Sequence, residues 1–197
     1  KTSCLTSSMY GVRLALVKGK ADENFFQGKG DTAYTPEMLC QFNIMVMAHA
    51  KDSPQMAQFF AQATQIYALA ERLPGFVWRQ TDESDPVIAE RLGPSCLVNL
   101  TVWDSIESLY AFVLHPTHRT VMMARDHWFT HTGRATSVLW YQDAVDSKPT
   151  FSEAIDRLEQ HWHNGPGPDA FDFKCAVWVA GYGNQGNVIA ARVMDKV

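Results

Sequence analysis

The clearest pattern in the chain is an alternation of side-chain types that begins near residue 40. Residues 40–47, CQFNIMVM, alternate between one apolar set and a second set that begins with Gln41 and Asn43. A period of two puts successive side chains on opposite faces of a strand. Three more segments are rich in β-branched and aromatic residues and also predict strands: FVWRQ at 76–80, CLVNLTVW at 96–103 and SVLWY at 137–141.

Two segments between these strands have helical spacing. Ser53-Pro54 predicts a helix start, because serine caps a helix and proline is tolerated at its first position. Apolar residues then recur every three or four positions until Pro74-Gly75. Asp104 with Glu107 predicts the capped start of a second helix. The segment DESDPVIAERLGP, between the second and third strands, is expected to be a polar connection.

The order strand, helix, strand, strand, helix, strand predicts an α+β fold of the ferredoxin-like split βαβ type, with helices on one face of the sheet. The other face needs a cover, and a second copy of the chain is the economical one. This domain is predicted over residues 39–173. Residues 1–38, with a strand predicted at 11–17, form an N-terminal arm, and residues 174–197 form a C-terminal extension.

Composition excludes several classes of protein. The 197 residues are 46% hydrophobic and carry a net charge of -4, which argues against disorder and against a nucleic-acid binder. No apolar run is long enough for a membrane span. Four isolated cysteines favour reduced thiols and the cytoplasm. Residues 1–21 lack acidic residues, which fits either the remnant of an organelle transit segment or a variable arm.

Four of the seven histidines lie in HPTHRTVMMARDHWFTH, residues 115–131. If residues 116–129 form one helix, His118, Met122, Arg125 and Trp128 share its apolar face. Buried polar groups need partners or a cavity, so His118 and Arg125 either line a pocket or bond to the helix–sheet seam. A pocket histidine can move protons near neutral pH, and an arginine can hold an anion. No third ligand accompanies any histidine pair, so no metal site is predicted.

Polar residues also interrupt the predicted strands. Asn43 and Asn99 lie in otherwise apolar segments, and Asn99 has the same parity as Trp103. Together with Trp78 and Arg79 they can supply the few polar groups that orient a ligand in an apolar pocket. The alternative is that they satisfy sheet edges or a dimer seam.

Several segments, in order, resemble a known family. They are PGFVWR at 74–79, LVNLTVWDSIESLYAFV at 97–113, His118 with Arg125 and Trp128-Phe129, and PTFSEAIDRLE with the later GPGPDAFDF. They resemble a bacterial domain family of unknown function in the dimeric α/β-barrel superfamily, over about residues 40–173. The resemblance implies a homodimer made by two packed sheets, with a pocket between sheet and helices. Relatives include cofactor-free monooxygenases of polyketide aromatics, polyketide cyclases and haem proteins.

The resemblance and the residues together predict an enzyme for a hydrophobic, aromatic or polyketide-like small molecule. It would act without a cofactor, by oxygenation, cyclisation or proton transfer, with His118 as acid–base residue and Arg125 as anion holder. The substrate would contact Asn43, Trp78, Arg79, Asn99, Trp103, Met122 and Trp128. Two alternatives stay open: a non-covalent haem protein with His118 as the iron ligand, and a non-catalytic ligand-binding module.

Overall fold

A computed structural model describes residues 37–143 and 148–173. Within them, four strands form a sheet: β1 (Glu37–Val46), β2 (Phe76–Arg79), β3 (Cys96–Trp103) and β4 (Ser137–Asp143). The helices are α1 (Pro54–Ala70), α2 (Pro86–Leu92), α3 (Ile106–Val113), α4 (Pro116–Met123) and α5 (Phe151–Asn164). The predicted N-terminal arm, its strand at 11–17 and the C-terminal extension lie outside the described residues.

The strand order β2-β3-β1-β4, with every neighbouring pair antiparallel, confirms the ferredoxin-like arrangement. α1 connects β1 to β2, and β3 lies between those two strands. The register places Asn43 opposite Asn99 and Leu39 opposite Trp103. The two central strands therefore bring the predicted polar positions side by side.

Local side-chain bonds explain where two helices begin. The Ser53 hydroxyl accepts from the Met56 backbone N–H at 3.2 Å, as the serine–proline pair predicts. The predicted cap of α3 was one residue too early. Ser105 caps this helix by accepting from the Ser108 N–H at 3.3 Å, while Asp104 accepts the Ser105 hydroxyl at 2.7 Å.

The segment expected to be a polar connection contains a helix instead. Asp85 caps α2 by accepting from the Val87 N–H at 3.0 Å, and Pro86 occupies its first position. Ile88 buries against the sheet and is 6% exposed. Seven residues are too few to show a clear period, which is why the pattern alone did not reveal this helix.

Helices cover both faces of the sheet, so the prediction that they lie on one face was wrong. α1, α3 and α4 pack on the α1 face, which on β1 consists of Leu39, Gln41, Asn43 and Met45. α2 and α5 pack on the α5 face, where β1 contributes Cys40, Phe42 and Ile44. The cover that was expected from a second copy is thus supplied by α5 of the same chain.

The single helix predicted over residues 116–129 is also broken. α4 ends at Met123, and a short 3-10 turn follows at Arg125–His127. The chain turns here because its next residues pair with the end of β1: the Ala48 N–H donates to the Trp128 carbonyl at 2.8 Å, and the Thr130 N–H donates to the Val46 carbonyl at 2.9 Å. No helix in residues 37–143 or 148–173 is long and apolar enough to cross a membrane.

Candidate functional site

A row of polar side chains crosses the α1 face at the centre of the sheet. Gln41 and Asn43 on β1 lie opposite Thr101 and Asn99 on β3. Gln41 is 7% exposed and Thr101 is 4% exposed, whereas Asn43 and Asn99 are half-buried. Because buried polar groups require hydrogen bonds, the inner half of this row must be internally satisfied.

One continuous set of hydrogen bonds satisfies it. The Trp103 indole N–H donates to the Thr101 hydroxyl at 3.0 Å, and that hydroxyl donates to Gln41 Oε1 at 2.8 Å. Gln41 Nε2 donates to Asn43 Oδ1 at 2.8 Å, and Asn99 Nδ2 donates to the same oxygen at 3.3 Å. The bonds lead from the buried indole to the half-buried asparagine pair.

A cavity of about 180 Å³ lies between α1 and the sheet, and neither asparagine is part of its lining. Its sheet side includes Met45 and Leu97, each two residues along its strand from an asparagine and on the same face. The remaining lining consists mainly of Phe59, Phe60, Ala63, Thr64 and Tyr67 from α1, together with Glu83. An apolar, aromatic space with a few polar groups is the usual form of a small-molecule site.

The polar groups of this cavity lie around Tyr67 and Glu83. Burial raises the pKa of the Tyr67 hydroxyl, and the nearby Glu83 charge adds to this effect. Burial also raises the pKa of the Glu83 carboxyl, opposed by Lys51 and Arg79. The Arg79 guanidinium lies 4.4 Å from the Tyr67 ring centroid, and its Nε is 2.6 Å from a Glu71 carboxylate oxygen. The α1 face thus gathers a carboxylate and a phenol at one cavity.

His118 lies outside this cavity. Its Nδ1 donates to the Val113 carbonyl at 3.0 Å, and its ring centroid is 4.5 Å from that of Phe112. Phe112 in turn stacks on Trp103, with ring centroids 5.4 Å apart. Burial lowers the pKa of the imidazole, although the bond to Val113 partly offsets this. This is the helix–sheet seam that the sequence offered as the alternative to a pocket.

Arg125 and Met122 are not on a buried face. The Arg125 side chain is 54% exposed, and its Nε lies 3.6 Å from an Asp126 carboxylate oxygen. Met122 is 43% exposed. The break after Met123 rotates Arg125 away from the face that one continuous helix would have given it. The predicted pairing of Arg125 with His118 in a pocket is therefore not observed, and their catalytic roles stay predictions.

Two of the three predicted tryptophans, Trp78 and Trp128, are also separated. Trp78 lies on the opposite side of the sheet, where it lines a cleft of about 390 Å³ with Lys148 and the start of α5. Trp128 is 4% exposed and packs against Phe59 near the start of α1, with ring centroids 5.7 Å apart. The structure thus brings Asn43, Arg79, Asn99, Trp103 and Trp128 to the α1 face, where His118 also packs at the helix–sheet seam, but places Trp78, Met122 and Arg125 elsewhere.

The structure adds polar residues that the sequence argument did not select. Gln41 alternates with Asn43 in the first strand, and Thr101 stands between Asn99 and Trp103, so their parity already marked the same face. Tyr67 and Glu83 carried no such sign, because only the tertiary fold brings α1 and the residues after β2 to one cavity. Over residues 37–143 and 148–173, no group of three or more His, Cys, Asp or Glu side chains is placed to hold a metal ion.

Fold and cavity together define a ferredoxin-like α+β protein with a cavity of about 180 Å³ between α1 and the sheet. The chain belongs to the family described as a domain of unknown function (DUF3291), which matches residues 38–184. This membership confirms the resemblance to a domain family of unknown function. No curated protein matches the chain.

Several solved structures are similar in fold. SnoaB, a cofactor-independent oxygenase from Streptomyces nogalater, is 19% identical, with 58% of this chain and 99% of that chain covered and a TM-score of 0.38. Rv0793 from Mycobacterium tuberculosis is 11% identical, with coverage of 57% and 99% and a TM-score of 0.41. A Nitrosomonas europaea protein named as a candidate antibiotic biosynthesis monooxygenase is 10% identical, with coverage of 59% and 97% and a TM-score of 0.40.

Proposed function

We propose that the protein is an enzyme that binds a hydrophobic aromatic molecule in the cavity beneath α1 and acts on it without a cofactor. The observation that carries this proposal is an aromatic cavity lined by Glu83, whose sheet side, Met45 and Leu97, is the next same-face pair along the strands from the half-buried asparagine pair. Oxygenation, cyclisation and proton transfer are the reactions expected from the resemblance. They share one first step, which removes a proton either from the carbon beside a carbonyl or from a phenol hydroxyl.

The size of the cavity supports an aromatic ligand. At about 180 Å³ it is close to the roughly 150 Å³ of an engineered apolar cavity that takes up benzene. Phe59 and Phe60 provide ring surfaces against which an aromatic ligand can pack. A one-ring or two-ring molecule therefore fits better than a large polycycle, part of which would protrude beyond the cavity.

Glu83 is the proposed proton acceptor. Glu83 lines the cavity from a solvent-exposed position, and partial burial of its carboxyl raises its pKa, which makes the carboxylate a stronger base. Removing a proton beside a ketone leaves an enolate, whose oxygen needs hydrogen-bond donors. The Asn43 amide is the proposed donor, since its nitrogen carries two N–H groups.

This proposal gives Glu83 the role that the sequence had given to His118. His118 does not line the cavity, and its Nδ1–H is committed to the Val113 carbonyl. The same geometry bears on the haem alternative, because a ligating histidine would need open space beside its ring. Neither the cavity beneath α1 nor the cleft at Trp78 includes His118.

The test uses 1-tetralone, a two-ring ketone with slowly exchanging C–H bonds beside its carbonyl. The protein is incubated with this ketone in deuterium oxide, and loss of the C2 proton signal is followed by NMR. We expect the protein to accelerate exchange, and Glu83→Gln to lower that acceleration by about 100-fold or more, as removal of a general base does. Oxygen uptake, measured in parallel, separates oxygenation from the other two reactions.

Two control variants make this test specific. Glu90→Gln changes an exposed glutamate on α2 and is expected to leave exchange unchanged. His118→Ala is expected to retain most of it. Full activity of Glu83→Gln together with inactive His118→Ala would reverse the assignment, and binding of the ketone without exchange would favour a non-catalytic module.

We further propose that any homodimer uses a surface other than the sheet. Side chains of α5 occupy the α5 face and bury Phe42 and Trp140 completely. Packing of two sheets would require α5 to move away. Sedimentation of the purified chain checks this proposal: a dimer that becomes stronger when substitutions detach α5 from the sheet would contradict it, because the two sheets would then be packing against each other.

A further inference from the structure

The hydrogen bonds on the α1 face have a fixed direction. An indole N–H can only donate, so the Thr101 hydroxyl must accept from Trp103 and use its own proton toward Gln41. Gln41 Oε1 must therefore accept this hydrogen bond, and the Gln41 NH₂ group donates to Asn43. Trp103 is 0% exposed, which protects the starting donor from water and keeps the direction unchanged.

This direction determines what the asparagine pair can offer. Asn43 Oδ1 accepts from both Gln41 and Asn99, which uses the two acceptor sites of that oxygen. Within residues 37–143 and 148–173, no hydrogen bond occupies the Asn43 amide nitrogen or the Asn99 carbonyl oxygen. The pair thus retains a donor on β1 and an acceptor directly opposite on β3.

We propose that Gln41 and Thr101 are positioning residues that hold the asparagine pair as one donor and one acceptor, and that the site selects aromatic molecules carrying an acceptor and a donor side by side. Primary carboxamides and hydroxyketones belong to this class. This proposal rests on the proposed function, because it assumes that a ligand in the cavity beneath α1 extends past Met45 and Leu97 to reach the asparagine pair.

Without the buried bonds the pair would lose this selectivity. A free Asn43 amide can rotate by half a turn and exchange its oxygen and nitrogen, since the two ends have nearly the same shape. A ligand with a single acceptor would then be accommodated as well as one with both groups. Gln41 and Thr101 therefore influence which ligand binds without contacting the ligand.

The experiment compares two probes of similar size, 2-naphthamide and methyl 2-naphthoate. The amide has a donor and an acceptor together, whereas the ester has acceptors only. Dissociation constants are measured by quenching of tryptophan fluorescence. We expect the wild-type protein to bind the amide about fivefold more tightly than the ester, as one net hydrogen bond provides.

Four variants test the positioning role. Thr101→Val removes the hydroxyl and is expected to bring the ratio of the two dissociation constants close to one. Thr101→Ser keeps the hydroxyl and is expected to keep the ratio. Thr120→Val is the matched control, because the Thr120 hydroxyl donates to the Pro116 carbonyl of its own helix, α4, and Thr120 does not line the cavity. Gln41→Met tests the same step if Thr101→Val does not fold.

The outcomes separate this inference from the proposed function. If neither probe binds the wild-type protein, the small-molecule site itself is refuted and the inference falls with it. If both probes bind equally well, the site stands and the donor–acceptor selection is refuted. A ratio that persists in both Thr101→Val and Gln41→Met would also overturn the positioning role.

Discussion

The two faces of the central sheet are built from the same strands but differ in chemistry. On the α5 face, Phe42, Leu100 and Trp140 are each 0% exposed and pack against α5 in a continuous apolar core. On the α1 face, the corresponding central positions are Gln41, Thr101 and the asparagine pair. Because side chains alternate along β1 and β3, an apolar set faces α5 and the polar side chains face α1.

This difference indicates that the α5 face mainly stabilises the fold, whereas the α1 face carries the proposed function. An apolar core needs only good packing, whereas polar side chains in the middle of a sheet are costly unless every bond is made. The α1 face has polar side chains at four central positions, and its cavity begins at the next same-face pair, Met45 and Leu97. Natural sequences tend to depart from the most stable choice at functional sites, so the α1 face is where we place the function.

The largest effect is expected on the α5 face. Phe42→Ala removes a completely buried ring that lies 6.4 Å from the Phe151 ring. Cavity formation of this kind lowers the free energy of unfolding by about 3–5 kcal/mol. Urea unfolding followed by circular dichroism measures the change, and a loss below about 1 kcal/mol would show that α5 does not form a packed core with the sheet.

A smaller effect is expected where the polar row is buried. Thr101→Val leaves the Trp103 indole N–H and Gln41 Oε1 without their partner. An unsatisfied buried group costs about 1–3 kcal/mol, so the free energy of unfolding should fall by that amount. Thr64→Val, which affects an exposed bond, should change it by less than about 0.5 kcal/mol. Equal values for the two variants would contradict the buried network.

The asparagine pair should contribute less still to stability. Asn99→Leu removes one hydrogen bond of 3.3 Å at a half-buried position, while Asn43 keeps its bond from Gln41. We expect a change of less than about 1 kcal/mol in the free energy of unfolding, with binding of 2-naphthamide weakened about fivefold or more. Thermal denaturation and fluorescence titration measure both quantities. Unchanged binding would remove Asn99 from the site.

The smallest effect is expected in the pH dependence of the free energy of unfolding. Burial lowers the pKa of His118 below its usual 6.5, so the unfolded chain takes up this proton at a higher pH than the folded chain. The contribution of His118 to stability is then complete above about pH 7 and decreases as the pH falls toward the lowered value. We compare the wild type with His118→Gln from about pH 8 to about pH 5.

In that comparison the wild type should lose more stability than the variant as the pH decreases, because glutamine does not titrate. The difference between the two unfolding free energies, taken at each pH, isolates the imidazole from the other ionisable groups. A difference that is constant with pH, or one that favours the wild type at low pH, would show that His118 is not desolvated at the seam.

The sequence was a good guide to the elements and a partial guide to the site. Alternation and β-branched residues predicted β3 with its observed limits, and Ser53-Pro54 predicted the start of α1. Parity placed Asn99 and Trp103 on one face, as observed. These features depend on neighbours within a few residues, which a periodic pattern records directly.

Features that depend on tertiary pairing were not predictable in this way. Arg125 was expected beside His118 because a continuous helix was assumed, but the pairing of Trp128 and Thr130 with the end of β1 breaks that helix. Glu83 reaches the cavity only through the packing of distant segments. The packing of α5 on the sheet was not predicted, because an amphipathic pattern indicates that a helix has a buried face but does not identify the surface against which that face packs.

The helix that completes the α5 face is formed by residues 151–164, which follow all four strands in the chain. During synthesis the sheet therefore emerges first, with the rings of Phe42 and Trp140 open to water until α5 has left the ribosome. Such transient apolar surfaces favour aggregation. A chain that stalls before residue 151 would expose this surface permanently and become a target for chaperones, while a chain completed to residue 164 covers it without help from a second molecule.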